Sequence, residues 1–412
     1  MSGHAAELDR DDPLARFRTE FELEPNGPLY VDGNSLGRLP VRTRDRLAAL
    51  VDEWGIELVR GWHRWIDLPT DVGDLLGQHV LGARPGETLV ADSVTVNLYK
   101  LARAALAARP GRQVVVTDRT NFPTDRYVVA GLEAEVRLFD PDPIAGPTAD
   151  DVADACAPGD VALVALSQVA YRSGALADLP AITAAAHAAG ALVLWDVSHS
   201  AGAVEIELAE HGVDLAVGCT YKYLCAGPGA PAFLFVRTDL QDELRSPIQG
   251  WFGQREQFAM ELDYEPAEGI ARFLAGTPPI LGLAAVEAGA ELVAEAGIGA
   301  IAAKAHALTA FGIERFDERL APLGLELGTP RDPARRGAHL ALRHPEEAWR
   351  ICRALIERAA VIPDFRGPDT VRFGFPPLAT SFADVEEAIE RLADVVERKA
   401  YLEFDPKRRR VT

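Results

Sequence analysis

From residue 88 onward the chain alternates between short apolar runs and stretches of helical spacing. β-branched or otherwise apolar runs occur at Thr88–Ala91, Val114–Thr117, Val161–Leu166, Ala191–Trp195, Leu215–Val217 and Ala232–Val236. Helix-like stretches separate several of them, notably Val96–Ala108 and Leu179–Ala189. This alternation predicts βαβ units around a mostly parallel, buried sheet, an α/β fold. A helix is predicted earlier, over 42–60, and the Ala-rich Ile280–Ala296 predicts a long helix leading out of the large unit. After about residue 300 the pattern becomes helix (305–320), strand (338–343), helix (345–359), strand (371–375) and helix (381–399). Three parts follow. An N-terminal segment over 1–40, punctuated by Pro and Gly, packs on the small domain or on a partner subunit. A large α/β domain covers 41–300, and a smaller α+β domain covers 301–412.

Composition narrows the class. A chain of 412 residues that is 48% hydrophobic can bury a substantial core. No apolar run approaches the ~18 residues a membrane span needs. The opening MSGHAAELDRDDPLARFR is acidic and lacks a signal-peptide core, so a cytoplasmic location is expected, with no membrane partner. A net charge of -20 argues against a nucleic-acid surface. The one basic cluster, Lys407 to Arg410, reads as a solvated tail. Cys156, Cys219, Cys225 and Cys352 contain no CxxC pair and fit neither a disulfide framework nor a zinc site. His63, His79 and His187 lack ligand-spaced partners, so no metal is expected. Neither a Walker loop nor a GxGxxG follows a strand, which leaves an NTPase or a Rossmann dehydrogenase unsupported.

Lysine is scarce: only Lys100, Lys222, Lys304, Lys399 and Lys407 occur among 42 basic residues. In such an arginine-rich chain a retained lysine is a candidate for amine chemistry. Lys222 stands after an apolar strand and before a Gly-rich turn, between Tyr221 and Tyr223. A lysine desolvated there can form a Schiff base, although a lone lysine is usually a solvated charge. Asp196 ends the strand Ala191–Trp195, where open α/β sheets place their ligands; a helix cap or a structural ion pair would also use it. Together, an Asp for a pyridine nitrogen and a Lys for an aldehyde suit pyridoxal phosphate. Ser93, Val94 and Thr95 open a predicted helix and could cradle its phosphate, or act as ordinary caps. Asn121 to Asp125 follows another strand and could place an aromatic ring over a flat cofactor, or be a turn.

At this point the chain resembles a known family over nearly its whole length. The residues that carry the resemblance are Gly33-Asn34-Ser35-Leu36-Gly37, Thr95 to Leu98, Phe122-Pro123-Thr124-Asp125 and Asp196 to His199. Tyr221-Lys222-Tyr223-Leu224, Gly250-Trp251-Phe252-Gly253 and Gly276 to Ile280 continue it. They are similar to those of kynureninases, fold-type-I pyridoxal-phosphate enzymes of the class-V aminotransferase group. The resemblance implies a large domain with a mostly parallel seven-stranded sheet flanked by helices, plus a small C-terminal α+β domain. It also implies that Lys222 carries the cofactor, that Asp196 pairs with its pyridinium and that His199 lies close by. Val94, Thr95 and Tyr221 would bind the phosphate. Phe122 would stack on the ring, Asp125 would contact it from the same Phe122–Asp125 loop, which also brings Pro123 and Thr124, and Ser167 would lie at the ring edge. Trp251 and Thr277 would reach the phosphate from the partner subunit, which makes a homodimer with a shared site.

On the substrate side the resemblance places Arg372 on the substrate carboxylate, with Asn34, Ser35 and Trp62 nearby. As isolated residues, Arg372 would read as a surface charge and Trp62 as a core aromatic. Trp62 and Gly276-Thr277 depart from the animal pattern and resemble the bacterial type, which prefers kynurenine to its 3-hydroxy derivative. The implied reaction is hydrolysis of the Cβ–Cγ bond of L-kynurenine to anthranilate and L-alanine, in tryptophan degradation or NAD biosynthesis. Tyr221 is the candidate proton donor for its late steps. The rivals are another class-V reaction, such as cysteine desulfuration or transamination, and a non-catalytic protein on the same scaffold. Desulfuration needs a mobile cysteine, and Cys352 is the only downstream candidate, in a predicted helix.

Overall fold

A computed structural model describes residues 3–24 and 27–407; the basic residues 408–410 lie outside them. Seven strands form the main sheet: β1 (Thr88–Val90), β2 (Val114–Asp118), β3 (Glu135–Phe139), β4 (Val161–Ser167), β5 (Leu192–Asp196), β6 (Leu215–Gly218) and β7 (Phe233–Val236). Their spatial order is β1-β7-β6-β5-β4-β2-β3. Only β7 runs against the rest, pairing antiparallel with both β1 and β6. The expected mostly parallel, seven-stranded sheet is what forms.

Alternation along each strand divides the core. Val114, Val116, Val193, Trp195 and Phe233 point to one face, and Val115, Leu163, Leu194, Val217 and Leu234 to the other. Both faces are covered, so the central strands read as continuous apolar runs instead of alternating ones. Among the helices that cover them are α1 (Val41–Glu57), α2 (Leu68–Leu76), α3 (Val94–Ala107), α4 (Pro123–Ala130), α5 (Ala149–Cys156), α6 (Leu179–Ala188) and α7 (Ile280–Ala296). Leu98, Leu101 and Ala105 of α3 close one face; Leu283, Val286 and Val293 of α7 close the other. Among the described residues no single helix is long and apolar enough to cross a membrane.

Gly297, at φ +81°, breaks α7 from α8 (Ile298–Arg319). A second core then forms from α8, α9 (Ala348–Arg358), α10 (Phe382–Glu397) and a small antiparallel sheet. That sheet comprises β8 (Glu326–Leu327), β9 (His339–Arg343), β10 (Asp364–Arg366) and β11 (Thr370–Gly374), in the order β10-β11-β9-β8. The N-terminal segment is tied to this body. Ala5 and Val31 enter its core, Leu29–Tyr30 pairs with Val361–Ile362, and the Asp9 carboxylate accepts from the first N–H groups of α10. A carboxylate at a helix N-terminus satisfies N–H groups that have no partner within the helix.

Candidate active site

The carboxyl ends of β4, β5 and β6 end side by side, with Ser167 opposite Asp196 and Asp196 opposite Val217. A parallel sheet presents its ligand-binding edge there. A cavity of about 220 Å³ opens at this edge. The structure brings Val94, Thr95, Phe122, Thr124, Asp125, Ser167, Asp196, His199, Tyr221 and Lys222 together around it. Pro123, the first residue of α4, sets that helix start and does not line the cavity. A larger cavity of about 490 Å³ lies between the N-terminal segment and the small body, and holds no lysine.

Each wall has a local cause. Asp92 takes a left-handed backbone (φ 53°) that turns the chain from β1 into α3, and its carboxylate is held by the buried Lys100 at 2.7 Å. Ser93 caps α3 by accepting from Val96 N–H, and the first bond within the helix runs from Asn97 to Ser93. The N–H groups of Val94 and Thr95 precede that bond and face the cavity end, an arrangement suited to a phosphate. Opposite, Asn121 accepts from Ser167 Oγ at 2.6 Å and from Phe122 N–H at 2.7 Å, which fixes the loop carrying Phe122. The Phe122 ring meets Tyr171 edge-on at 5.3 Å. The loop after β6 is locked by Gly37 N–H on the Tyr221 carbonyl and by Thr220 Oγ1 on the Pro231 carbonyl, and it delivers Lys222.

The electrostatics single out a missing donor. The Asp196 carboxylate accepts from Ser198 N–H at 2.7 Å and lies within hydrogen-bonding reach of the Asp125 carboxyl. Asp125 is almost wholly buried, and neither of its oxygens has a donor among the described residues. Burial first, and then the negative charge of Asp196, hold its carboxyl well above the usual range. Two adjacent buried carboxyls with so few donors fit a ligand that brings its own N–H or positive charge. Lys222 faces them with no ion-pair partner among the described residues, whereas Lys100 and Lys304 are buried against Asp92 and Asp12. An amine for an aldehyde, carboxylates for a pyridinium and a helix start for a phosphate match pyridoxal phosphate part by part. Tyr221 keeps its phenolic proton, since burial, and then Cys219 beside it, raise its pKa.

The remaining candidates lie outside the cavity. Arg372 is fully buried and one shell away, with Nη1 on the carbonyl of Tyr171. Its Nε donates to Asp364 at 2.7 Å and its Nη2 donates to the second Asp364 oxygen. Ser35 accepts from Nη2 at 3.3 Å, and the Asn34 amide lies against the guanidinium; assigning its oxygen to that side, as the all-donor surroundings require, lets it accept from Nη2 and Nε at 3.0 and 3.2 Å. Arg366 shares Asp364 from the other side at 2.7 Å. Asn34, Ser35 and Arg372 therefore form one cluster. Trp62 packs on Trp65 and Phe252, both at 5.9 Å, and lines an apolar groove with Leu50, Trp54 and Ile280. Trp251 and Thr277 are exposed and do not line the cavity of their own chain. Sequence reasoning missed Tyr171 and Asp364. The first stands four residues beyond Ser167 in the turn after β4; the second faces Arg372 directly across β10 and β11.

Residues 78–341 match the family model for class-V aminotransferases, and residues 301–392 match that for the kynureninase C-terminal domain. The chain is 44% identical to a kynureninase of Pseudomonas fluorescens over 407 residues, covering 96% of this chain and 95% of that one. It is 42% identical over 410 residues to a kynureninase of Burkholderia pseudomallei, covering 96% of each. Among solved structures, a cysteine desulfurase of Thermococcus onnurineus superposes with a TM-score of 0.77 at 19% identity, covering 95% of this chain and 98% of that one. A C-DES variant with glycine covalently linked to its pyridoxal-phosphate cofactor gives 0.80 at 18% identity, covering 92% and 99%. At such identities the last two speak for the fold alone.

Proposed function

The chain belongs to the kynureninase family, and from that premise we propose that it hydrolyses the Cβ–Cγ bond of L-kynurenine to anthranilate and L-alanine, using pyridoxal phosphate. The observation that carries this reading is the donor-poor pair Asp125 and Asp196 facing Lys222, an amine with no ion-pair partner among the described residues. When bound, the cofactor supplies an aldehyde for amine capture and a pyridinium that stabilises negative charge on carbons next to the substrate nitrogen. The rest falls to the protein. Lys222 would hold the cofactor through its Nζ, and as a free amine it would move protons at the substrate carbons. Asp196, supported by Asp125, keeps the pyridine nitrogen protonated. Val94, Thr95 and Tyr221 hold the phosphate, Phe122 covers the ring face, and Ser167 and His199 border its edge. Tyr221, kept protonated by burial, is the proton donor as the bond to the aryl ketone breaks.

Substrate recognition is assigned to the Arg372 cluster for the carboxylate, with Asn34 and Ser35 orienting the guanidinium, and to Trp62 for the aromatic end. Since Trp62, Trp251 and Thr277 stand outside the chain's own cavity, we assign them across a dimer axis. Apolar side chains support this: Trp54, Trp62 and Leu281 line one groove, and Trp62, Phe252, Trp251 and Phe258 form one chain of ring contacts leading from it. An apolar groove of this kind marks an interface. On the division into 1–40, 41–300 and 301–412, the cofactor is assigned to the large domain and the carboxylate anchor to the small one, with Asn34 and Ser35 contributed by the N-terminal segment.

The desulfurase rival loses its nucleophile. All four cysteines are buried, Cys352 sits inside α9, and burial raises its thiol far from ionisation. The discriminating experiment loads the protein with pyridoxal phosphate and offers L-kynurenine and, with dithiothreitol as reductant, L-cysteine in parallel. Fluorescent anthranilate from the first and no sulfide from the second is the expected result; sulfide from cysteine at a comparable rate would overturn the assignment.

A further inference from the structure

His339 opens β9 opposite Gly374 of β11, and its side chain is completely buried where the small body meets the large one. Its ring stands 5.6 Å, centroid to centroid, from that of His199, which lines the cofactor cavity. Both ring nitrogens of His339 and Nδ1 of His199 are buried without a hydrogen-bond partner among the described residues. Three such nitrogens at one spot need an explanation, because buried polar atoms are almost always paired with protein or with ordered water. The rings make no direct hydrogen bond, and their spacing suits a single water that touches both.

Both rings are neutral. Burial, followed by the nearby positive charge of Arg372, pushes His339 down to about 3, so its ring is neutral and carries one N–H. Burial likewise holds His199 well below the usual histidine range, with the charge of Lys222 adding to it. One water between them can accept the N–H of one ring and donate to the bare nitrogen of the other; with His339 as the donor ring, the His199 proton sits on Nε2. Gly174, at φ +74°, packs against this segment: a Cβ there would lie 2.8 Å from the His339 carbonyl oxygen and 3.3 Å from its ring Nε2. The neighbouring Ala338 carbonyl accepts from Tyr223, next to Lys222, so the same segment touches the lysine loop.

We propose that His339 is a positioning residue for this active site: through one bridging water it fixes the tautomer of His199, so that the small body sets which nitrogen His199 protonates at the cofactor. This rests on reading the cavity as the pyridoxal-phosphate site. His339→Phe removes both nitrogens and keeps an aromatic ring, while His339→Gln keeps a donor and an acceptor. In the holoenzyme, His339→Phe is expected to move the pH midpoint of the cofactor's visible band by about one unit and to lower kcat about tenfold, leaving KM unchanged. His339→Gln should return both most of the way. A His339→Phe enzyme with wild-type band and kcat, or one altered in KM alone, overturns the proposal. A crystal structure of the cofactor-free protein tests it independently. Electron density for a water between His199 Nδ1 and His339 is expected; its absence refutes the relay even if the cofactor reading stands. Failure of the wild type to develop a visible band would instead refute the cofactor reading.

Discussion

Asp32 offers a quantitative test of the carboxylate anchor. It adjoins the cluster of Asp364, Arg366 and Arg372, and its Oδ1 has no partner among the described residues. Burial, and then the charge of Asp364, raise its carboxyl from the ordinary 3.8 to about 7, against the opposing pull of Ser35 and the two arginines. Asp364 itself stays ionised, because the bonds from Arg372 and the charges of both arginines outweigh its burial. Below about pH 7 the four groups carry one net positive charge; above it they are neutral. If Arg372 anchors the substrate carboxylate, affinity falls as the pH rises through that point. One unit charge roughly 7 Å away, at an effective dielectric of about 20–40, contributes about 1–2 kcal/mol, or roughly a 5- to 30-fold rise in KM. Asp32→Asn removes the titration while keeping the shape. Its KM should stay flat between about pH 6 and pH 8, near the wild-type value at the acidic end, with kcat little changed. Stability provides a second readout. A carboxyl with a raised folded-state pKa contributes stability that is present below pH 4 and lost as the pH rises through about 7. The Asn variant should therefore gain on the wild type in thermal melting over that range. Superimposable KM profiles for the two proteins would refute the reasoning.

Lys222→Ala should abolish both turnover and the visible absorbance of the bound cofactor; an unchanged spectrum would remove Lys222 from its role. Asp196→Asn should slow turnover by at least about 100-fold through loss of the charge on the pyridine nitrogen, with circular dichroism and melting close to wild type. A near-normal rate would show that pyridine protonation is controlled elsewhere. Mixing inactive Lys222→Ala with a Trp251→Ala variant and allowing the subunits to exchange should restore activity, because one of the two sites in each hybrid is then whole. No recovery in chromatographically verified hybrids would place Trp251 in the cavity of its own chain.

What the sequence made legible depended on burial. The central strands are apolar on both sides, so β2, β4, β5 and β6 stood out within a residue or two of their final ends. β3 did not, because it lies at the edge of the sheet and its Glu135 and Arg137 interrupt the apolar pattern. β8 and β10 are two and three residues long, and β10 alternates Asp364 and Arg366 around Phe365, too short for a periodic signal. α8 begins at Ile298, seven residues before its predicted start, because a single Gly297 at positive φ separates it from α7. At the site, Lys222, Asp196, Val94 and Thr95 were readable because chemistry at strand ends and helix starts has local signatures. The engagement of Arg372 by Asp364 was not, since it arises from register between antiparallel strands. Nor was the pairing of His199 with His339, whose 140-residue separation only the packing of the two bodies closes.

The central claim is hydrolytic cleavage of a carbon–carbon bond, and labelled water tests it most directly. The pyridoxal-phosphate-loaded protein is incubated with L-kynurenine in 18O-water, and both products are quantified by mass spectrometry. Anthranilate and L-alanine should appear in equal amounts, with one 18O in the new anthranilate carboxylate. L-alanine without anthranilate, or anthranilate without the label, would contradict the account.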